Sequence, residues 1–512
     1  MELRTERAVI HTAEPAGSIV QEQGVELDYV LPDYYPDVCK LVKCFLTPTV
    51  QSELLSGDRL SYELRAEVRI LYCSEESNVL QCVTQTLLFS RTAELPAGGE
   101  VSVELTPCVD YVNCRAVSRR RLDVRGAVTV KIKTSRCQAQ EVLTDAAGKG
   151  MQLRMLPVQY PAKHLTVSQS IILSEELQLG NAQPALLHIV RCDARTSDLS
   201  QKRVSGRVMV QGNLQLQMLY ACEREGDGSL EPLFFTLPFS QMLDTEEIAE
   251  LDECLMNCQV VSCEMKPCAD GNGDVRSLRC EAELRVQCTA VRMETVQVIS
   301  DAFSTEHPCQ TRNAELLVSG MPQAFSQMQV CSAKLSCADG ELDCVYDAWC
   351  EVKSLTQEID GQELVCSGML CWNVLVREAG GMPRLLEQEE AFEHRFAPRA
   401  LGNADQLCIT ARAENCAYTL TGAEEVSLKA ELHLDGTITH LEKISVLSAV
   451  EVEENSLRPH DFALKLYYGR MGEPVWEIAK RCHTSVEAIM EENELSQDVL
   501  TDAGMLLIPI VN

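Results

Sequence analysis

Apolar and polar residues alternate over much of this chain, which is the period of a half-buried β-strand. Leu122, Val124, Val128, Val130 and Ile132 fall on one face of such a run, and Leu278, Cys280, Ala282, Leu284 and Val286 on one face of another. A third run, Val426, Leu428, Ala430, Leu432 and Leu434, lies 148 residues beyond the second. Further strands are predicted over residues 64–72, 83–90, 214–220 and 233–240, each bounded by polar loops. Few windows carry the 3.6-residue period of an amphipathic helix.

The pattern is duplicated. Pro36, Val42, Cys44, Leu71 and Tyr72 recur as Pro184, Val190, Cys192, Leu219 and Tyr220, every one shifted by 148. Leu41 and Lys43 map conservatively onto Ile189 and Arg191 with the same shift. So many matches in one ungapped frame mark an internal repeat. The third unit has drifted: residues 370–376 stand where the Tyr72 and Tyr220 strands stand, while its beginning does not align. Each unit is predicted to open on a short helical or turn segment at a proline (36–42 in the first), followed by strands that close into a β-sandwich. Joints are expected at 146–150 and at the polar stretch 304–313.

After the acidic segment 451–455 the pattern changes. A short strand over 464–468 precedes a helix opening at Val475, with Trp476 and Ala479 three apart on its apolar side. Thr484 or Ser485 can cap a second helix carrying Val486, Ile489 and Met490, Asn493 ends it, and residues 505–509 form a closing strand. The expected fold is therefore mainly β: tandem β-sandwich-like repeats at 1–150, 151–305 and 306–455, then a small βααβ domain at 462–512.

Composition narrows the function. At 512 residues, 46% of them hydrophobic and 24% charged, the chain can bury several cores. A net charge of −31 repels phosphate backbones and anionic lipid, so nucleic acid is not an expected partner. The densest basic run, Arg119, Arg120 and Arg121, reads as a solvated loop. The first 20 residues hold no signal-peptide core, and the longest uncharged apolar stretch, 364–376, is too short to cross a bilayer and reads as a buried strand. A cytoplasmic location without membrane insertion is expected. The 25 cysteines are then reduced thiols, most of them serving as small core hydrophobes.

Candidate chemistry is thin. Cys254, Cys258, Cys263 and Cys268 lack the paired C-x₂-C spacing of structural zinc sites. Asp270, Asn272, Asp274 and Glu281 imitate a calcium loop, but Val275 stands where that loop needs glycine, so a hairpin turn is expected. Gly148-Lys149-Gly150 is no phosphate-binding loop, and the common metalloprotease, hydrolase and dinucleotide signatures are missing. No catalytic residue, metal or cofactor is expected, and the chain reads as non-enzymatic.

The C-terminal segment resembles the LysM family. Gly472-Glu473-Pro474-Val475-Trp476-Glu477-Ile478-Ala479 stands where that family has Gly-Asp-Thr-Leu-Trp-x-Ile-Ala. Thr484, Ser485, Val486, Asn493, Gly504, Leu507, Ile508 and Pro509 fall at the family's positions as well. The long repeats resemble the SPOCS domain (DUF3794) of sporulation proteins through the opening Leu31-Pro32-Asp33-Tyr34-Tyr35-Pro36-Asp37-Val38 and the strand ending Ile70-Leu71-Tyr72. The resemblance implies an adaptor of endospore coat and envelope assembly, in the mother-cell cytosol at the forespore surface, with a spore-coat morphogenetic ATPase (SpoIVA-like) as partner. It also implies a LysM core of Trp476, Ile478, Ala479, Ile489, Leu507 and Ile508. The LysM groove would lie between Gly472, Glu473, Pro474 and Val475 on one side and Leu500, Thr501, Asp502, Ala503 and Gly504 on the other. That groove generally takes N-acetylglucosamine-containing glycans. Here Glu-Pro replaces Asp-Thr, and proline offers neither an N–H nor a hydroxyl to a sugar. Two expectations follow: an adaptor docking a coat protein through its LysM domain, or a glycan-binding protein of cell wall or spore cortex.

Overall fold

The computed structural model describes residues 3–74, 80–95, 100–148, 150–204, 207–222, 229–243, 253–269, 273–337, 341–378, 383–398, 401–403, 405–422, 424–453, 456 and 464–509. The first repeat consists of β1 (Arg4–Val30), β2 (Val38–Ser56), β3 (Arg59–Ser74), β4 (Leu80–Glu94), β5 (Glu100–Ser118) and β6 (Arg121–Ala147). These pair antiparallel in two sheets, β1-β6-β5 and β2-β3-β4. In the second, β7 (Met151–Gln178), β8 (Leu186–Val204), β9 (Arg207–Cys222), β10 (Ser229–Met242), β11 (Glu253–Ala269) and β12 (Val275–Ser304) repeat the scheme as β7-β12-β11 and β8-β9-β10.

The drifted third repeat keeps the same order. Its strands are β13 (Cys309–Ser319), β14 (Gln323–Ser336), β15 (Leu342–Asp360), β16 (Glu363–Glu378), β17 (Pro383–Phe396), β18 (Gln406–Leu420), β19 (Glu425–Thr439) and β20 (Leu441–Val452). Sheets β14-β19-β18 and β15-β16-β17 form the sandwich, and β13-β20 continues it as a separate pair. Here the long strands of the other repeats are interrupted around Pro322, which has no N–H to give the ladder. The 370–376 segment lies in β16, at the place β3 and β9 occupy in their own sheets.

Alternation sets each core. Val124, Val128, Val130 and Ile132 of β6 and Leu64, Ala66, Val68 and Ile70 of β3 are all fully buried in one cluster between the two sheets. Burying such side chains gives each about 1.5–3 kcal/mol against exposure, which is what holds the sheets face to face. The recurrence of proline and tyrosine has a local cause: the Tyr72 hydroxyl donates to Pro36 O at 3.1 Å, and Tyr220 to Pro184 O at 3.3 Å.

Of the helix or turn expected to open the repeat, the turn is found, over residues 31–37, and β2 starts at Val38. The triple arginine lies at a hairpin turn with Arg119 and Arg121 exposed, as expected of a loop, but it is also engaged. Arg120 donates to the carbonyls of Leu31, Pro32 and Tyr35 and pairs with Asp37 at 2.6 Å, while Arg121 pairs with Asp28. The guanidinium fork thereby satisfies the carbonyls of a turn that has no ladder partners. Arg276 does the same in the second repeat, donating to Gly180 O and Gln183 O.

The three repeats close into a ring. β4 packs on β8 of the next repeat, β10 on β15, and β17 returns to β2. Leu71, Leu219 and Leu375, one from each repeat, meet in a shared cluster with Val190, Ala221 and Trp349. Each seam has its own ion pair: Arg69 with Asp193, Arg191 with Asp347 at 2.7 Å, and Lys43 with Glu387. Lys43, Arg191 and Asp347 occupy the same place in the three repeats, facing the same strand position through Leu71, Leu219 and Leu375. Duplication has been followed by divergence into complementary charges.

Beyond the sandwiches, the outer halves of β1 and β6, of β7 and β12, and the pair β13–β20 run on as three ribbons. They bury Ile10, Val142, Val158, Val298, Leu316, Val318, Ile444 and Val446 together, and then Leu143, Ile299 and Leu447 in a further layer. The expected joints lie at this end. Thr305 N donates to Gly150 O at 2.8 Å, and Ser304, Thr305 and His307 are buried, so the 304–313 joint is a tight, buried turn at 305–308 between β12 and β13. Gly150 has φ +63, and a Cβ there would stand 2.4 Å from Thr305 Oγ1. Lys149 lies outside the described residues. Glu451 and Val452 belong to β20, and residues 454–455 of the expected C-terminal joint also lie outside.

The chain ends in β21 (Leu464–Gly469), α1 (Val475–Cys482), α2 (Val486–Glu492) and β22 (Gly504–Pro509), with β21 and β22 antiparallel. Among the described residues no helix is long and apolar enough to cross a membrane.

Candidate functional site

The βααβ module is built from short-range signals. Val475, Trp476, Ile478, Ala479 and Cys482 are the buried side of α1, and Lys480 and Arg481 sit in its last turn, where cations oppose the helix dipole. Ser485, not Thr484, caps α2 by accepting from Ala488 N at 3.0 Å. Thr484 is turned away to donate to Pro509 O at 2.5 Å. Asn493 ends α2 and clamps β22, donating to Leu507 O and accepting from Leu507 N, both at 2.7 Å.

Trp476, Ile478, Ala479, Ile489 and Ile508 share one core. Leu507 does not join it. Successive residues of a strand face opposite ways, and Leu506 and Ile508 take the inward positions, leaving Leu507 half-buried on the outer face.

The two loops placed opposite each other as a groove are stitched together. Gly472 N donates to Leu500 O at 2.8 Å, Leu500 N to Glu473 O at 3.0 Å, and Val475 N to Asp498 O at 2.7 Å. Pro474 forms a bridge with Val499. Val475 and Leu500 are buried in the module core, and Thr501, Asp502 and Ala503 are exposed beside Gly504. Glu473 is engaged within the module. Its carboxylate accepts from the Tyr467 hydroxyl at 2.7 Å and from Arg470 N at 3.1 Å, with Arg481 3.5 Å away. The Tyr467 hydrogen bond, more than the cations, holds the Glu473 carboxyl below its ordinary value against partial burial.

Trp476 also faces outward from the module, a role the residues alone did not disclose. Its ring meets Phe303 of β12 edge-on with centroids 5.0 Å apart, and its Nε1 donates to Asp301 at 2.8 Å. Lys480 Nζ reaches both oxygens of the same carboxylate at 2.7 Å. The module is thus docked on the ribbon of the second repeat.

A second feature escaped the sequence reading. On β21, Leu464, Leu466 and Tyr468 point away from the helices, opposite Pro509, Leu507 and Met505 of β22. Leu466, Tyr468 and Met505 are 62%, 71% and 67% exposed, and Met471 beside them is 76% exposed. The signal was available: the strand carries large apolar residues at successive positions, more than one helix-covered face can bury.

The cysteines considered for zinc all lie on β11, where the strand's rise of about 3.3 Å per residue keeps Cys254 and Cys268 tens of ångströms apart. Among the described residues no cluster of three His, Cys, Asp or Glu side chains is placed to hold a metal ion. Asp270 and Asn272 lie outside them, and Glu281 is a residue of strand β12 paired with Lys266.

Together these features define a class: a ring of three β-sandwich repeats with one small α/β module seated on it. A protein-family model described as "SipL, SPOCS domain" matches residues 186–267, from the start of β8 into β11. The second repeat is therefore SPOCS-like, which links the chain to sporulation. No curated protein and no solved structure matches the chain.

Proposed function

We propose that this chain is a non-enzymatic adaptor of endospore coat and envelope assembly, in the manner of SipL. The three repeats act as the scaffold, and the C-terminal module, which we read as a LysM domain, docks a spore-coat morphogenetic ATPase. The observation that carries this reading is the apolar outer face of β21 and β22, a contiguous row of large side chains left in water. Such a face is the kind of surface that protein partners cover. The module is net acidic, with Glu487, Glu491, Glu492, Glu494, Asp498 and Asp502 outweighing Lys465, Arg470, Lys480 and Arg481, so the fitting partner has an apolar ridge and a net basic surface.

Glycan binding, the cell-wall reading, has less support. Pro474 has no donor for a sugar, Val475 and Leu500 face the core, and Glu473 is already bonded to Tyr467 and Arg470. The test is titration of the full chain with the purified ATPase and, separately, with chitin oligomers and peptidoglycan. The adaptor reading expects the ATPase to bind and Leu466→Asp with Met505→Asp to abolish that binding while the circular dichroism spectrum is kept. Micromolar binding of glycan with no binding of the ATPase would sink it.

A further inference from the structure

All 25 cysteines are free thiols, most of them on inner faces of the sandwiches. Facing sheets stand about 10 Å apart, whereas a disulfide needs Cα atoms roughly 4.4–6.8 Å apart, so cysteines in the middle of opposed sheets cannot join. The exception is the edge where two sheets converge. In each repeat that edge brings the first strand of one sheet against an outer strand of the other: β2 with β5, β8 with β11, and β15 with β18.

Cysteines sit on both sides of this seam. Cys44 on β2 lies in the first core, with Cys114 of β5 packed against that core at this seam. Cys192, which follows Cys44 by the repeat length, lies on β8 and packs with Cys263 of β11 against the second core. The backbone supports the second pair independently. Thr196 Oγ1 donates to Cys258 O and Gln201 Nε2 to Cys254 O, each at 2.9 Å, so β8 and β11 run antiparallel along the seam. Stepping back from Thr196 to Cys192 advances the partner from Cys258 towards Cys263. In the third repeat Cys350 and Cys416 lie along the same seam, but a bulge between Glu414 and Ala417 shifts the register there.

We propose that Cys44 with Cys114, and Cys192 with Cys263, are dithiol sites that a low-molecular-weight disulfide oxidises, pinning the two sheets of each sandwich at one edge. Cys114 as thiolate attacks one sulfur of the small disulfide and expels one small thiol. Cys44 gives up its proton, attacks Cys114 Sγ in the mixed disulfide and expels the second. Two protein thiols and one small disulfide become one protein disulfide and two small thiols. Cys44 is buried and Cys114 half-buried on its edge strand, so the attacking sulfur is the reachable one. The neighbouring Cys44 thiol also holds Cys114 below the ordinary thiol value. In the second repeat Cys263 is pushed up to about 12, chiefly by the neighbouring Cys192 thiol. That pair therefore closes more slowly.

Cys280 is the competing partner for Cys263. It lies diagonally across β11–β12, since Cys263 faces Ala282 and Cys280 faces Met265. Cys280 meets Cys263 as Cys192 does, but diagonal neighbours on one sheet stand about 7–8 Å apart at Cα, too far for a disulfide, so Cys192 is favoured. The experiment is incubation of the full chain with oxidised glutathione at pH 8, acid quenching at intervals, and disulfide mapping of unreduced digests by mass spectrometry. The expected result is two internal disulfides, 44–114 forming before 192–263, with four of the 25 thiols lost to a thiol reagent. Cys114→Ser should remove the first disulfide and leave the second. Glutathione adducts without internal disulfides, or a 263–280 disulfide in place of 192–263, would overturn the proposal, and the wild-type map decides even if a variant fails to fold.

Discussion

At the free ends of the three ribbons the backbone is the same and the side chains are not. The first repeat has Asp145 and Ala147 there, the second Asp301 and Phe303, and the third Ala449 and Glu451. The kinship is visible in detail: Ala146 N and Ala302 N each donate to the preceding aspartate at 2.9 Å. Yet only the second end offers a carboxylate acceptor next to an aromatic wall, and the module docks on that one. In a duplicated scaffold, two side chains are enough to make one of three equivalent ends the seat for an appended domain.

Removing Trp476 is the harshest way to break this contrast. Trp476→Ala takes a ring that is 8% exposed from the module core and from the docking contact together. The cost should be about 3–5 kcal/mol, more than a domain this small can spare. Hydrogen exchange across 464–509 should collapse to unprotected rates in the variant and not in the parent.

Phe303→Ala separates docking from folding. Phe303 is 4% exposed but belongs to the scaffold, so its loss, at about 3 kcal/mol, should undock a module that stays folded. Trp476 fluorescence should shift to the red while amide protection of α1 and α2 persists. Loss of that protection would show that the module depends on its seat.

Asp301→Asn is milder. It removes the charge facing Lys480, whose side chain is 40% exposed, and keeps an oxygen for Trp476. A partly solvated pair of this kind contributes about 0.2–1 kcal/mol. The variant's thermal midpoint should lie slightly below the parent's in low salt and converge with it at 1 M salt.

The smallest effect expected is that of pH on the loop junction. Glu473 has its folded pKa lowered below the reference 4.5, so its contribution is complete above that value and is lost as pH falls through the folded one. Melting of the module's helices between pH 3 and 7 should show this acid-side decline, and Glu473→Gln should flatten it.

How much of this could be read from the residues varies with range. Strands such as β6, β12 and β19 follow from alternation, because one wet and one dry face impose a period of two on the sequence. The repeat was legible because the Tyr72–Pro36 and Tyr220–Pro184 bonds need the same residues at the same separation. Ring closure was not legible. It depends on Arg69, Arg191 and Lys43 meeting acids 124, 156 and 344 residues away, and no local pattern carries such distances. At the candidate site, the βααβ order and the inward side of α1 were readable from capping and spacing. The seat of Trp476 was not, since a tryptophan filling its own module and one reaching a neighbour look alike in sequence.

Closure also bears on how such a chain can grow. An open stack of repeats ends in a socket for another unit, so gene duplication lengthens it at little cost. Here β17 returns to β2, and the Lys43–Glu387 seam occupies the position a socket would take. A fourth copy inserted among the three would have to open that seam and also find room among ribbons that already pack Leu143, Ile299 and Leu447 together. Novelty must therefore come through divergence of the existing copies or through domains added outside the circle. The unequal ribbon ends are an instance of the first route, and the module seated on Phe303 is an instance of the second.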